Sequence, residues 1–214
     1  IIREFEGDFS LIFNVEFSPD GTQIVFSYIN HTIELWDIVS GQIINEFAGH
    51  SNIVMSIAFS PDGTQIVSGA LERTIILWDA ASGEKDQEFT GHLDGVMSVA
   101  FSPDGKYIAS GSKDTTVQLW NSVTLKPTGQ KPMSANTKMV RSVDFSPDGS
   151  LIASANYDGT IHLWNTHTRE SIAELVGHEA AVTSVDFSLD GKYLISGSKD
   201  HTLVLWDLEN RQVI

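Results

Sequence analysis

The chain has 214 residues and a formal net charge of −15, from 13 Lys and Arg against 28 Asp and Glu, the wrong sign for a protein that coats duplex nucleic acid. It is 41% hydrophobic and 19% charged, a globular composition of a length that buries roughly 70% of its unfolded surface. With no cysteine, disulfide scaffolds, thiolate zinc sites, thiol nucleophiles and iron–sulfur clusters are excluded, and no apolar run approaches the roughly 18 residues of a membrane span.

In chain order the dominant feature is a repeat. The turn Phe-Ser-Pro-Asp-Gly starts at Phe17, Phe59, Phe101 and Phe145, and returns as Phe-Ser-Leu-Asp-Gly at Phe187. Nineteen residues after each Phe stands a tryptophan, Trp36, Trp78, Trp120, Trp164 and Trp206, and each follows Leu. The spacings are 42, 42, 44 and 42, so the two extra residues lie between Trp120 and Phe145, in a stretch holding Pro127 and Pro132. Repeat cores fall roughly at 8–37, 50–79, 92–121, 136–165 and 178–207, in one domain over 1–214.

Each unit reads as strands. In the third, Val96 to Phe101 has strand propensity and ends in Ser102-Pro103-Asp104-Gly105, where Pro presets φ and Gly accepts φ > 0. Tyr107 to Ser110 forms a second strand, Gly111 to Thr115 a polar reversal, and Thr116 to Trp120 a third strand. In the unit before it, Gly83 closes a further turn and Asp86 to Phe89 supplies a fourth strand. No window carries a convincing helix. Four short strands per period form an antiparallel four-stranded sheet.

Trp-Asp at Trp36, Trp78 and Trp206, Trp-Asn at Trp120 and Trp164, and Gly-His at His50, His92 and His178 complete the pattern. The chain resembles the WD40-repeat β-propeller family over its whole length. Its near-uniform repeats are also similar to those of fungal and bacterial multidomain proteins, including the sensor ends of NACHT-type signalling NTPases. The resemblance implies an all-β propeller of four-stranded blades, five repeats being present. It also implies that one His, Ser, Asp and Trp of each blade form a buried hydrogen-bonded chain. The third unit offers His92, Ser110, Asp114 and Trp120, and the fifth His178, Ser196, Asp200 and Trp206. The second has His50, Ser68 and Trp78 with Glu72 for the acid; the fourth has Ser154, Asp158 and Trp164 with Asn136 for the histidine. In the first, Asp8, Phe26 and Asn30 stand before Trp36, and packing rather than a network is expected to hold that blade.

Catalysis is not expected: the serines recur mid-strand, and no Gly-x-Ser-x-Gly, phosphate loop, His-Glu-x-x-His or calcium-loop pattern occurs. His31, His162, His167 and His201 lie in different units without ligand spacing, so no metal or other cofactor is expected. Asn30-His31-Thr32 matches a glycosylation pattern, in a chain whose lack of cysteine points to the cytoplasm. Eleven of the 28 acids carry turn, network or Trp-Asp duties, and the rest of the excess serves solubility.

Where the units differ, specificity can sit. Propellers of the family bind proteins or peptides on the top rim, so three variable phases matter. One holds Phe13, Met55, Met97, Arg141 and Thr183; a second Leu11, Ile53, Gly95, Met139 and Ala181; a third Ile29, Leu71, Lys113, Tyr157 and Lys199. The candidate contact set is Phe13, Ile29, Ile53, Met55, Leu71, Met97, Lys113, Arg141, Tyr157 and Lys199, apolar in the early units and basic in the later ones. This predicts a scaffold or recognition module for a protein or peptide with an apolar anchor and acidic flanks. Alternatives are the sensor end of a signalling NTPase, a propeller lectin, or a hydrolase whose acids would have to come from Glu16, Asp144 and Asp186. The chain starts at Ile1, and Gln212 to Ile214 repeats the phase of Gln42 to Ile44, so a piece of a larger ring is expected over a closed five-blade ring. Oligomeric state is left open.

Overall fold

The computed structural model describes residues 11–124, 126–129, 131–134, 137–210 and 212–213. These form five antiparallel sheets in chain order, and no helix occurs among the described residues. The first blade is β1 (Ile12–Phe17), β2 (Gln23–Tyr28), β3 (Ile33–Asp37) and β4 (Ile43–Phe47). The second is β5 (Val54–Phe59), β6 (Gln65–Ala70), β7 (Thr74–Asp79) and β8 (Lys85–Thr90). The third is β9 (Val96–Phe101), β10 (Tyr107–Ser112) and β11 (Val117–Asn121). The fourth is β12 (Val140–Phe145), β13 (Leu151–Asn156), β14 (Thr160–Asn165) and β15 (Ser171–Val176). The fifth is β16 (Val182–Phe187), β17 (Tyr193–Ser198), β18 (Leu203–Asp207) and β19 (Gln212–Val213).

The Ser-Pro-Asp-Gly turn explains the tight reversal after each inner strand. The Ser102 hydroxyl donates to Asp104 Oδ1 at 2.7 Å and accepts the Tyr107 N–H at 2.9 Å. Gly105, at φ 70, returns its N–H to the Ser102 carbonyl at 2.8 Å. Side chain and backbone thus satisfy the turn locally.

The third blade departs from the expected four strands. Its outer edge is held by two isolated bridges, Val117↔Met133 and Trp120↔Pro127. Pro127 and Pro132 lack the N–H groups that a ladder needs, so no regular fourth strand forms among the described residues. Met133 still buries its side chain against the blade, at the site filled by Phe47 and Phe89 in the first two blades.

The core lies between blades. Val25, Ile33, Leu35 and Phe47 of the first blade meet Val54, Ile57, Phe59 and Trp78 of the second, and the same set recurs at the next three junctions. Inner strands pack in the order β1, β5, β9, β12, β16. The two end sheets lack a neighbour on one side among the described residues. Phe17 is 62% exposed where its counterpart Phe59 is 5%, and Leu203 of the fifth blade is 75% exposed.

Candidate functional site

The second, third and fifth blades carry the polar chain on strands two and three, with the histidine in the entering loop. In the third blade, Trp120 Nε1 donates to Ser110 Oγ at 2.8 Å, and that hydroxyl meets His92 Nε2 at 2.7 Å. His92 Nδ1 faces Asp114 at 2.9 Å, which also accepts from the Leu93 N–H, the Thr116 N–H and the Thr116 hydroxyl. The fifth blade repeats this with His178, Ser196, Asp200 and Trp206. In the second, Glu72 reaches His50 and His50 meets Ser68, but the longer side chain leaves Glu72 Oε2 buried without a partner. In the fourth, Trp164 Nε1 donates to Ser154 at 2.9 Å and Asp158 accepts from Thr137 and Thr160. Asp8 and Asn136 lie outside the described residues.

The first blade corrects one expectation. Phe26 takes the serine place and meets the Trp36 ring edge-on at 6.5 Å, but the blade is not held by packing alone. Glu34 Oε2 accepts from Trp36 Nε1 at 2.9 Å and from the Tyr28 hydroxyl at 2.8 Å. A different polar chain replaces the usual one. Burial and the Glu34 carboxylate push the Tyr28 phenol up from its ordinary pKa. Asn30 keeps only the local bracket, accepting from Thr32 N–H and hydroxyl.

Two of the variable rim phases are brought together in every blade. Ile29, Leu71, Lys113, Tyr157 and Lys199 each donate their N–H to the carbonyl of Leu11, Ile53, Gly95, Met139 and Ala181 respectively, at 2.9–3.0 Å. Phe13 and Ile29 are exposed, while Ile53, Met55 and Leu71 are half-buried. Lys113, Tyr157 and Lys199 are exposed, and Lys199 Nζ lies 5.1 Å from the Tyr157 ring centre. Arg141 is half-buried, with its Nε buried and lacking a hydrogen-bond partner. Met97 is a correction: only 5% exposed, it lies in β9 between the inner strands of the second and fourth blades and cannot present a contact surface.

The inner strands line a central cavity of about 320 Å³. Here a repeated device escaped the sequence reading. Asn14 Oδ1, Ser56 Oγ, Ser98 Oγ and Ser142 Oγ accept the backbone N–H of Ile57, Val99, Val143 and Val185 in the next blade, at 3.0–3.4 Å. The signal was present as a Ser one residue before the central inner-strand Ile or Val in units two to five. Glu16, Asp144 and Asp186 face the same cavity. Glu16 accepts the Phe59 N–H at 3.0 Å, and Asp144 accepts those of Phe187 and Phe145, both at 2.9 Å. Burial, opposed by the Phe59 bond and aided by the Asp144 charge, pushes Glu16 up to about 7. Burial and Asp186 push Asp144 up to about 6 against the bond from Phe187. Among the described residues, no group of three or more His, Cys, Asp or Glu is arranged to hold a metal.

The family model for the first β-propeller of IFT122 matches residues 11–214. The chain belongs to that β-propeller family. No curated protein matches it. The family match agrees with the five antiparallel sheets and bears on architecture; it does not bear on the narrower likeness to the sensor ends of signalling NTPases. Within this family member, the buried His-Ser-Asp chains end in a tryptophan, with no substrate-facing hydroxyl, and read as framework.

Proposed function

We propose that this propeller is a non-catalytic protein-interaction module that binds a peptide or loop on its top rim. The observation that carries the reading is Arg141, half-buried at the rim, whose Nε is one of three buried side-chain atoms without a partner among the described residues, with Glu72 Oε2 and Asn156 Oδ1. A partner carboxylate would meet the rest of its guanidinium. Lys113 and Lys199, exposed on the rims of the third and fifth blades, extend the basic arc, while Phe13, Ile29, Met55 and Leu71 offer the apolar anchor side. On a chain of net charge −15, an acidic partner is repelled elsewhere and docks where the sign inverts. The channel acids do not favour the hydrolase reading: Glu16 and Asp144 are each bound to backbone N–H groups of a neighbouring blade and serve as staples.

The test is selection of peptides from a random display library, followed by binding kinetics of the enriched peptide. The peptides should carry an apolar residue next to acids. Met55→Glu should abolish binding, since desolvated anchors dominate interfaces. Arg141→Glu should slow association most at low salt. Lys192→Glu, beside a turn on the opposite face, should change neither. Equal weakening by Lys192→Glu and Arg141→Glu would remove the rim assignment.

A further inference from the structure

We propose that the cleft between the third and fourth blades, on the face carrying the Ser-Pro-Asp-Gly turns, is a binding site for a small carboxylate with an apolar body, and that Arg169 is its anchor. The cleft has a volume of about 600 Å³, within the range of small-molecule sites. Pro103, Tyr107, Leu119 and Pro147 give it apolar walls, and Arg169 enters from the turn between β14 and β15.

The space lies where the third blade shows no regular fourth strand among the described residues. At the first junction Asn45, paired with Leu35, crosses over and donates to the carbonyls of Ala80 and Ala81 at 2.8 and 3.1 Å. At the second, Gln87, paired with Leu77, lines a smaller cleft of about 360 Å³. At the third, the short Thr128 faces Leu119 and bonds back to its carbonyl, and Gly129 follows. Among the described residues, no side chain of the third blade is seen to bond across the cleft there.

Arg169 is held in a conformation that its side chain disfavours. The same turn carries Gly41 at φ 69 and Gly83 at φ 74 in the first two blades, each returning its N–H to the carbonyl four residues earlier. Arg169 makes the same bond to Asn165 at φ 61. A non-glycine residue in the left-handed region is strained, and such positions gather at functional sites. Its guanidinium lies beside Gly129, where any Cβ would collide with it. No carboxylate comes within ion-pair distance of it among the described residues. The two acids of the cleft are already engaged: Asp104 pairs with Lys106 at 2.9 Å, and Asp148 accepts from Ser146 at 2.6 Å and from Ser150.

This leaves a planar donor fork suited to bidentate recognition of a carboxylate. Asp104 and Asp148 line the same cleft, with His167, and disfavour a dianion such as phosphate more than a monocarboxylate. The carboxylate can belong to a free acid or to a peptide C-terminus, and the test separates the two.

The experiment is titration of the isotope-labelled chain, followed by amide NMR shifts. The probes are 3-phenylpropionate, its neutral amide, N-acetyl-Gly-Phe with a free C-terminus, and the same dipeptide as its amide. The acid should saturate at millimolar concentration and move the amides of Thr128, Gly129 and Asn165 to Arg169, while its amide should not. A shift with the free dipeptide alone assigns the site to a peptide terminus. Arg169→Gly relieves the left-handed strain, so it should melt no lower than the parent while binding at least tenfold more weakly. Arg169→Gln keeps the side-chain length and should lose binding to the same extent. The proposal is overturned if neither acid moves these amides, if the amides bind as well as the acids, or if either variant binds within twofold of the parent.

Discussion

Asp114 in the third blade and Glu16 in the central cavity are both carboxylates withdrawn from water, and they respond in opposite directions. Burial alone would raise both. At Asp114 it is outweighed by bonds from His92, Thr116 and the Leu93 N–H, and the carboxyl is held well below its ordinary range. At Glu16 one backbone N–H, from Phe59, stands against burial and a neighbouring carboxylate, and the group rises to about 7. What separates the two is the donors aimed at the charge, together with the sign of the neighbouring group, His92 beside Asp114 and Asp144 beside Glu16. A blade network is therefore a place where ionisation strengthens the fold, and the cavity is a place where it weakens it.

Removing the better-satisfied acid should have the largest effect. Asp114→Ala orphans four donors, and a loss of about 2–3 kcal/mol is expected in urea unfolding at pH 7. The sign with pH follows from the depressed carboxyl. Its contribution is fully present above the unfolded-state value near 4 and is lost as pH falls through the acid range below it. The wild-type chain should thus approach the stability of the variant in strong acid. A gap that stays constant from pH 7 down to pH 2 would show that the network does not depend on the charge.

Glu16 should behave in the reverse sense. Between 4.5 and 7 the folded chain holds a proton that the unfolded chain has released, so stability falls as pH rises through that window and stays lower above it. Glu16→Gln keeps an acceptor for the Phe59 N–H and removes the charge. It should gain about 2 kcal/mol at pH 8 and almost nothing at pH 5. Thermal melts at the two pH values check this, and a variant that melts lower at pH 8 would show that the carboxylate is bound more strongly than its neighbours suggest.

How much of this could be read in the sequence depended on repetition. The Ser-Pro-Asp-Gly turns, the strand positions and the complete networks of the third and fifth blades were legible because one set of residues recurs at one spacing. Glu16 and Asp144 were visible as inner-strand acids, but their direction is set by the neighbouring blade's N–H groups, which no local pattern encodes. Met55 and Met97 share a phase and differ in burial, since cover comes from flanking strands rather than from the residue itself. Arg169 drew no notice, because its meaning lies in the glycines that hold its place in the first two units, Leu125 and Arg211 standing there in the third and fifth, and in the absence of a regular fourth strand among the described residues of the blade beside it.

The first blade tests the comparison at its smallest scale. Glu34 stands two residues before Trp36, where the other units carry Ile76, Gln118, His162 and Val204, so the phase marks no recurring acid. Yet its Oε2 takes both the Trp36 indole and the Tyr28 hydroxyl, each on a buried ring. Glu34→Gln can keep both bonds on its one carbonyl oxygen, but it removes the negative charge that strengthens them. A loss of about 1 kcal/mol is expected. Asn30, itself exposed, accepts only from Thr32 among the described residues, in bonds that water can replace, and Asn30→Ala should cost about 0.5 kcal/mol or less. Chemical denaturation of the two variants side by side gives the ordering. If Asn30→Ala costs as much as Glu34→Gln, the Tyr28–Glu34–Trp36 chain is incidental. The first blade would then be held by Phe26 and its neighbours, and donor count would have to be set aside as the measure of a buried acid's worth.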